Sequence, residues 1–227
     1  MDLTQCRESR MDRREMLKIA LAMGFSLPAA HAAEVELRLQ LPPPQLDGGM
    51  LLMNALKGRR SAREFSRKPL PLPVLSNLLW AAFGVNRPAS GGRTAPSAHG
   101  WQEIEVYAAM ENGLFRYDHK AHALQGIKAA DLRRQTGNQD FVALAPLNLV
   151  YVADFARMEG AGAEDKMTYS AADAGFISQN VYLCCAQEGL ATVVRGWVDR
   201  SALAAQMGLK PEQKVVLKNS EVAYTFT

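Results

Sequence analysis

The chain has 227 residues, 48% of them hydrophobic and 22% charged, with a formal net charge of +3. These values are those of globular domains and exclude disordered and collagen-like classes. About 200 residues after processing suffice for one domain with a substantial core, and without a dense Lys/Arg tract interleaved with aromatics, nucleic acid is not an expected partner.

Residues Arg13 to Ala33 combine a basic stretch, Arg13-Arg14-Glu15-Met16-Leu17-Lys18, an apolar run from Ile19 to Phe25, and a small-x-small site, Ala30-His31-Ala32. That order is the signature of an export signal. The apolar run falls short of the roughly 20 residues needed to span a bilayer, so no permanent membrane anchor is expected. Asp12 to Lys18 resembles the twin-arginine export motif, whose pathway carries folded proteins. The expectation is a signal peptide over residues 1–32 and an exported, periplasmic domain over residues 33–227, with Met11 as an alternative start.

Leu41-Pro42-Pro43-Pro44 is a stiff, extended lead-in. Asp47 is placed to cap a helix from about Met50 to Lys57, with Met50, Met53 and Leu56 at helical spacing and Gly58 at its end. A second helix starts near Pro73, with Val74, Leu75, Leu78, Leu79, Ala82 and Phe83 on one face. Arg87 to Gly100 reads as a long loop, a place where function concentrates. Glu103 to Met110 alternates as a strand, and Glu111-Asn112-Gly113 turns it into Leu114-Phe115-Arg116-Tyr117.

Asp131 to Leu144 reads as helical pieces, and the apolar run Leu147 to Ala153 as a buried central strand. Ser170 to Glu188 is the longest helix candidate. It is apolar nearly all round, with Ala171, Ala174, Ile177, Val181 and Leu183 expected inside, as in the middle of a domain or a dimer interface. A strand (Ala191 to Val194), a helix (Ser201 to Met207) and a last strand (Lys214 to Leu217) follow. Sheet and helices do not alternate regularly, so the class is α+β.

Dinucleotide fingerprint, P-loop, H-E-x-x-H and G-x-S-x-G motifs are all absent from the sequence. Cys184 and Cys185 read as small core residues, Cys6 lies in the leader, and no C-x-x-C exists for a metal or redox site. His119 and His122 read as surface histidines rather than metal ligands. The chemistry must therefore come mainly from a bound cofactor, and no protein residue stands out as catalytic.

Gly58-Arg59-Arg60-Ser61-Ala62-Arg63-Glu64-Phe65 is the most informative segment. Three arginines and a hydroxyl just past a helix end can converge on one anion, since guanidinium groups match phosphate oxygens. A solvated basic turn is the competing reading.

Arg-Arg-Ser-x-Arg-x-Phe resembles the opening motif of the FMN-binding nitroreductase family, and Arg93 to Gly100 is similar to that family's Pro-Ser-Ala loop beside the flavin. Asp173 to Asn180 resembles its long central helix, and Gly189 to Gly196 the segment near flavin N5. The resemblance runs in order from about Leu51 to Gly196. It implies a central, mostly antiparallel sheet flanked by helices in a homodimer, with FMN as cofactor. Arg59, Arg60, Ser61 and Arg63 would hold the phosphate and ribityl end, while Pro96, Ser97, Ala98 and Gly100 would line the ring. Val194, Arg195 and Gly196 would lie at the N5 edge.

Two positions depart from the family. Gly100 stands where many relatives carry Asn, and Arg195 where an acidic residue is common; a structural ion pair is the alternative role for Arg195. The implied activity is ping-pong two-electron transfer to or from a small organic molecule. An exported member would draw electrons from a partner protein or a quinol. An azoline-type peptide dehydrogenase and a non-catalytic flavin-binding carrier or sensor are the alternatives.

Overall fold

The computed structural model describes residues 38–224, so the expected signal segment lies outside the described residues. Nine strands occur among them: β1 (Arg38–Gln40), β2 (Val85–Arg87), β3 (Gly92–Arg93), β4 (Ile104–Met110), β5 (Gly113–Asp118), β6 (Ala123–Lys128), β7 (Leu147–Asp154), β8 (Leu190–Arg195) and β9 (Gln213–Tyr224). Four α-helices join them: α1 (Leu52–Gly58), α2 (Leu72–Phe83), α3 (Ala163–Glu188) and α4 (Arg200–Met207). Seven strands form one sheet in the order β1-β6-β5-β4-β7-β9-β8, with every neighbouring pair antiparallel.

Strand alternation builds a layer on each face of this sheet. Ile104, Val106 and Ala108 of β4 face the core formed with Leu78 and Leu79 of α2 and Ala174, Ile177 and Val181 of α3. Their neighbours Tyr107 and Ala109 join Val150 and Val152 of β7 against Leu203 and Met207 of α4. The arrangement is α+β, as the sequence predicts.

The hairpin, the central strand β7 and helices α1, α2 and α4 lie where the sequence puts them, within one or two residues. Other expectations need correction. Leu51, not Asp47, precedes α1, and no side chain caps it. The helix expected from Ser170 starts at Ala163 and runs 26 residues to a left-handed Gly189, the usual stop. It is not apolar all round, because its buried stripe includes Ser170, Asp173 and Ser178 and leaves Ala171 exposed. The last strand is 12 residues long and pairs with both β7 and β8. No helix among the described residues is long and apolar enough to cross a membrane.

Candidate active site

The arginine-rich segment leaves α1 as an extended chain pinned at three points. Phe65 is buried at the sheet end beside Ala191 and Val193 of β8, with its ring centroid 5.6 Å from that of Phe141. Ala62 N–H donates to Thr192 O at 3.0 Å. Tyr182, on the C-terminal half of α3, is the third pin. Its hydroxyl lies 2.8 Å from Ser61 Oγ and accepts the Val194 amide at 3.0 Å, while the Arg59 guanidinium sits 5.2 Å from its ring centroid. One phenol thus joins the start of the basic motif to the strand carrying Val194.

Arg59, Arg60 and Arg63 have no carboxylate within salt-bridge distance among the described residues. Arg60 lines a cavity of about 190 Å³ with Ala62, Tyr182 and Thr192. Three uncompensated guanidinium groups, one hydroxyl and a cavity are the donor set a phosphate needs. A bare solvated turn does not describe a segment pinned in this way.

The ring-lining loop is built elsewhere. Ala98 N–H donates to Asp173 Oδ2 at 2.9 Å, Gln102 N–H donates to Ser97 Oγ at 2.8 Å, and Ser97 Oγ donates to Glu103 Oε2 at 3.3 Å. His99 and Gln102 adopt left-handed φ values of 52° and 49°, beside Gly100 at 69°. The His99 ring packs 4.4 Å from Trp101 and 5.7 Å from Tyr169, so it is committed to an aromatic cluster rather than standing in for an Asn at position 100. Pro96 and Gly100 are exposed, and Ser97 and Ala98 half-buried.

Glu103, buried beside Asp173, has its carboxyl pushed up, first by burial and then by the Asp173 charge, while its own amide and the Ser170 and Ser97 hydroxyls pull it down. A raised carboxyl leaves the fold most stable below the ordinary glutamate value, about 4.3, and weakens it as pH rises through the folded value. Glu103→Gln should therefore remove part of the loss of stability with rising pH. The check is thermal unfolding as the pH is raised from the ordinary glutamate value, about 4.3, upward, where the variant's midpoint should gain on the wild type as pH increases.

Arg195 points inward. It is buried, its Nη1 donates to Gln139 Oε1 at 3.1 Å, and the same atom lies where a Cβ on Gly137 would be. The loop after β6 holds its guanidinium through Gln139. Gly196 is exposed, and the Val194 amide is already bound by Tyr182.

Both paired histidines are half-buried and bonded to other side chains rather than free at the surface. His122 Nδ1 lies 2.8 Å from Tyr117 OH and its Nε2 2.7 Å from Ser76 Oγ, while His119 Nε2 lies 2.9 Å from Arg93 Nη2.

The match to known proteins follows this geometry. The model of the nitroreductase family covers residues 56–218. The chain belongs to the nitroreductase family. A nitroreductase homologue of Methanocaldococcus jannaschii is 32% identical over 155 residues, 64% of this chain and 78% of that protein. The crystal structure of a nitroreductase homologue from Ralstonia eutropha aligns with a TM-score of 0.80 at 48% identity, covering 84% of this chain and 90% of that one. The NADPH:FMN oxidoreductase of Vibrio harveyi, crystallised with NAD⁺, shares the fold at a TM-score of 0.58 and 19% identity, covering 78% of this chain and 69% of that one. The nitroreductase fold and an oxidoreductase activity follow.

In this family member the two halves of the predicted site are brought to one helix but not to one place. Asp173 and Tyr182 are nine residues apart on α3, which is two and a half turns: about 14 Å along the axis and on opposite sides of it. Sequence reasoning missed both residues, whose partners at Ala98, Ser61 and Val194 are set by the fold. Tyr182→Phe should cost about 1–3 kcal/mol, because it strips the Val194 amide of its acceptor and frees Ser61. Urea unfolding at an unchanged m-value would measure it.

Proposed function

We propose that the chain is an FMN-dependent oxidoreductase with two sites, each shared between two copies of it. The observation that carries this reading is the segment holding Arg59, Arg60 and Arg63, which have no carboxylate within salt-bridge distance among the described residues, pinned to the strand carrying Val194 through Tyr182. These arginines and Ser61 would hold the phosphate and ribityl end. Small residues Pro96, Ser97 and Ala98 would let backbone approach the ring, and Arg195 and Gly196 would border it. Bound FMN supplies two-electron redox chemistry, which the side chains of this site do not.

A second copy fits the split site. Ala172, Phe176, Gln179 and Leu183 form the outward stripe of α3 between the Asp173 side and the Tyr182 side. Phe176 is 48% exposed, and Met53 of the neighbouring α1 73%. An antiparallel, two-fold pairing of α3 centred between Phe176 and Gln179 brings position 173 of one copy level with position 182 of the other. The Pro96–Ala98 loop would then meet the partner's arginines, and the apolar stripe would be covered.

The leader supports export to the periplasm, where nicotinamide donors are scarce, and there a quinol or a redox protein would supply the electrons to a small organic acceptor. The first test is the visible absorption spectrum of the purified chain from residue 33. Flavin bands that depart with FMN on denaturation are expected. A colourless protein that takes up no added FMN would overturn the reading.

A further inference from the structure

Arg93 of β3 is 6% exposed, with its guanidinium carbon 4.2 Å from the Phe83 ring centroid. Nε donates to Gln102 Oε1 at 3.0 Å, and Nη2 donates to His119 Nε2 at 2.9 Å. Both neighbours are neutral. A guanidinium has no acceptor, so His119 Nε2 must accept and its proton sits on Nδ1. His119 is held down to about 4, first by burial and then by the Arg93 charge, which keeps it uncharged.

No carboxylate lies within salt-bridge distance of Arg93 among the described residues. The buried carboxylate in reach, Glu105, is already held by Arg157 at 2.8 Å, Arg116 at 3.3 Å and the Tyr107 hydroxyl at 3.1 Å. Asp118 is occupied by the Lys120 and Ala121 amides and by Gln125. A cavity of about 220 Å³ opens among these groups, lined by Arg93, Arg116 and Arg157 with Glu105 and Asp118. Arg157 is also paired with Asp154 at 3.3 Å, which leaves Arg93 as the guanidinium here without a carboxylate at salt-bridge distance among the described residues. Leaving a cation buried without a counter-charge is costly.

We infer that this cavity binds a small oxyanion, a carboxylate or phosphate group held by Arg93 with Arg116 and the His119 Nδ1–H. Its volume lies below the roughly 300–1,000 Å³ of sites for drug-sized ligands, which limits the occupant to a small anion. Burial and the nearby Arg157 charge hold the Arg93 guanidinium down to about 10, consistent with an excess of positive charge that an anion would relieve. The site shares no lining residue with the cavity beside Arg60. Gln102 ties it to Ser97, so the occupant would brace the loop that carries Pro96–Ala98.

The test is the thermal midpoint of the purified, cofactor-loaded protein titrated with sodium phosphate, against sodium chloride at matched ionic strength. A saturable rise specific to phosphate is expected. It should be lost in Arg93→Gln and kept in Arg134→Ala, at an exposed arginine outside both cavities. A parallel titration with acetate sorts the ligand: a rise with both anions assigns a general oxyanion site, and a rise with phosphate alone assigns a dianion site. Should Arg93→Gln fail to fold, crystals of the unaltered protein soaked in sodium selenate decide, with an anomalous peak expected against Arg93. The inference is overturned by the absence of a rise with phosphate above the chloride control, by a rise that survives Arg93→Gln or vanishes in Arg134→Ala, or by selenate bound only elsewhere.

Discussion

Replacing Arg59 and Arg60 together by Ala is expected to leave a folded protein without FMN. Both side chains lie on an extended segment held by Phe65 and the Ala62–Thr192 hydrogen bond, neither of which the change touches. Charge-assisted hydrogen bonds contribute roughly 1.5–3 kcal/mol each, so losing two arginines amounts to about 3–6 kcal/mol, or ~10²- to 10⁴-fold in Kd. Fluorescence titration with FMN would measure that ratio directly. Arg134→Ala, at an exposed arginine paired loosely with Asp140, is the control and should leave Kd unchanged. Full flavin retention by the double variant would remove the phosphate assignment.

The second large effect is expected from Phe176→Asp. Phe176 is exposed in a single copy, so the change creates no cavity in the core. In a two-fold contact between α3 helices it would place two carboxylates in an apolar seam, near the axis and near each other, with no basic residue of α3 on the outward stripe to compensate. Light scattering should therefore report a monomer, and the absorption spectrum a protein stripped of flavin, with the far-UV circular dichroism unchanged. A dimer that keeps its colour would refute the seam, and a monomer that keeps FMN would refute the shared site.

How far the sequence carried depends on the range of each interaction. The β4–β5 hairpin was legible because Asn112-Gly113 is a local turn signal between alternating strands. β7 was legible as a short apolar run. Strands β1 and β6 were not, since they are short, mix polar residues into both faces and exist only through each other and β5. The arginine motif was visible as chemistry, but its support was not: Tyr182 stands 121 positions from Ser61, and nothing local marks it. The hydrogen bond from Arg195 to Gln139 was equally out of reach, because it joins residues 56 positions apart. Composition likewise made α3 look uniformly apolar, whereas its buried stripe holds Asp173 for a backbone amide that only the fold brings near.

The position of β9 has a consequence for synthesis. The strand carrying Val194 touches the rest of the sheet only through β9, which is inserted between β7 and β8 after both have been made. A nascent chain emerging from the ribosome can complete the β4–β7 ladder early, but β8 has no neighbour until the residues beyond Gln213 are out. The basic motif, although it lies early in the chain, has no strand to be pinned to before then. Capture of FMN at the proposed site would therefore follow the synthesis of β9.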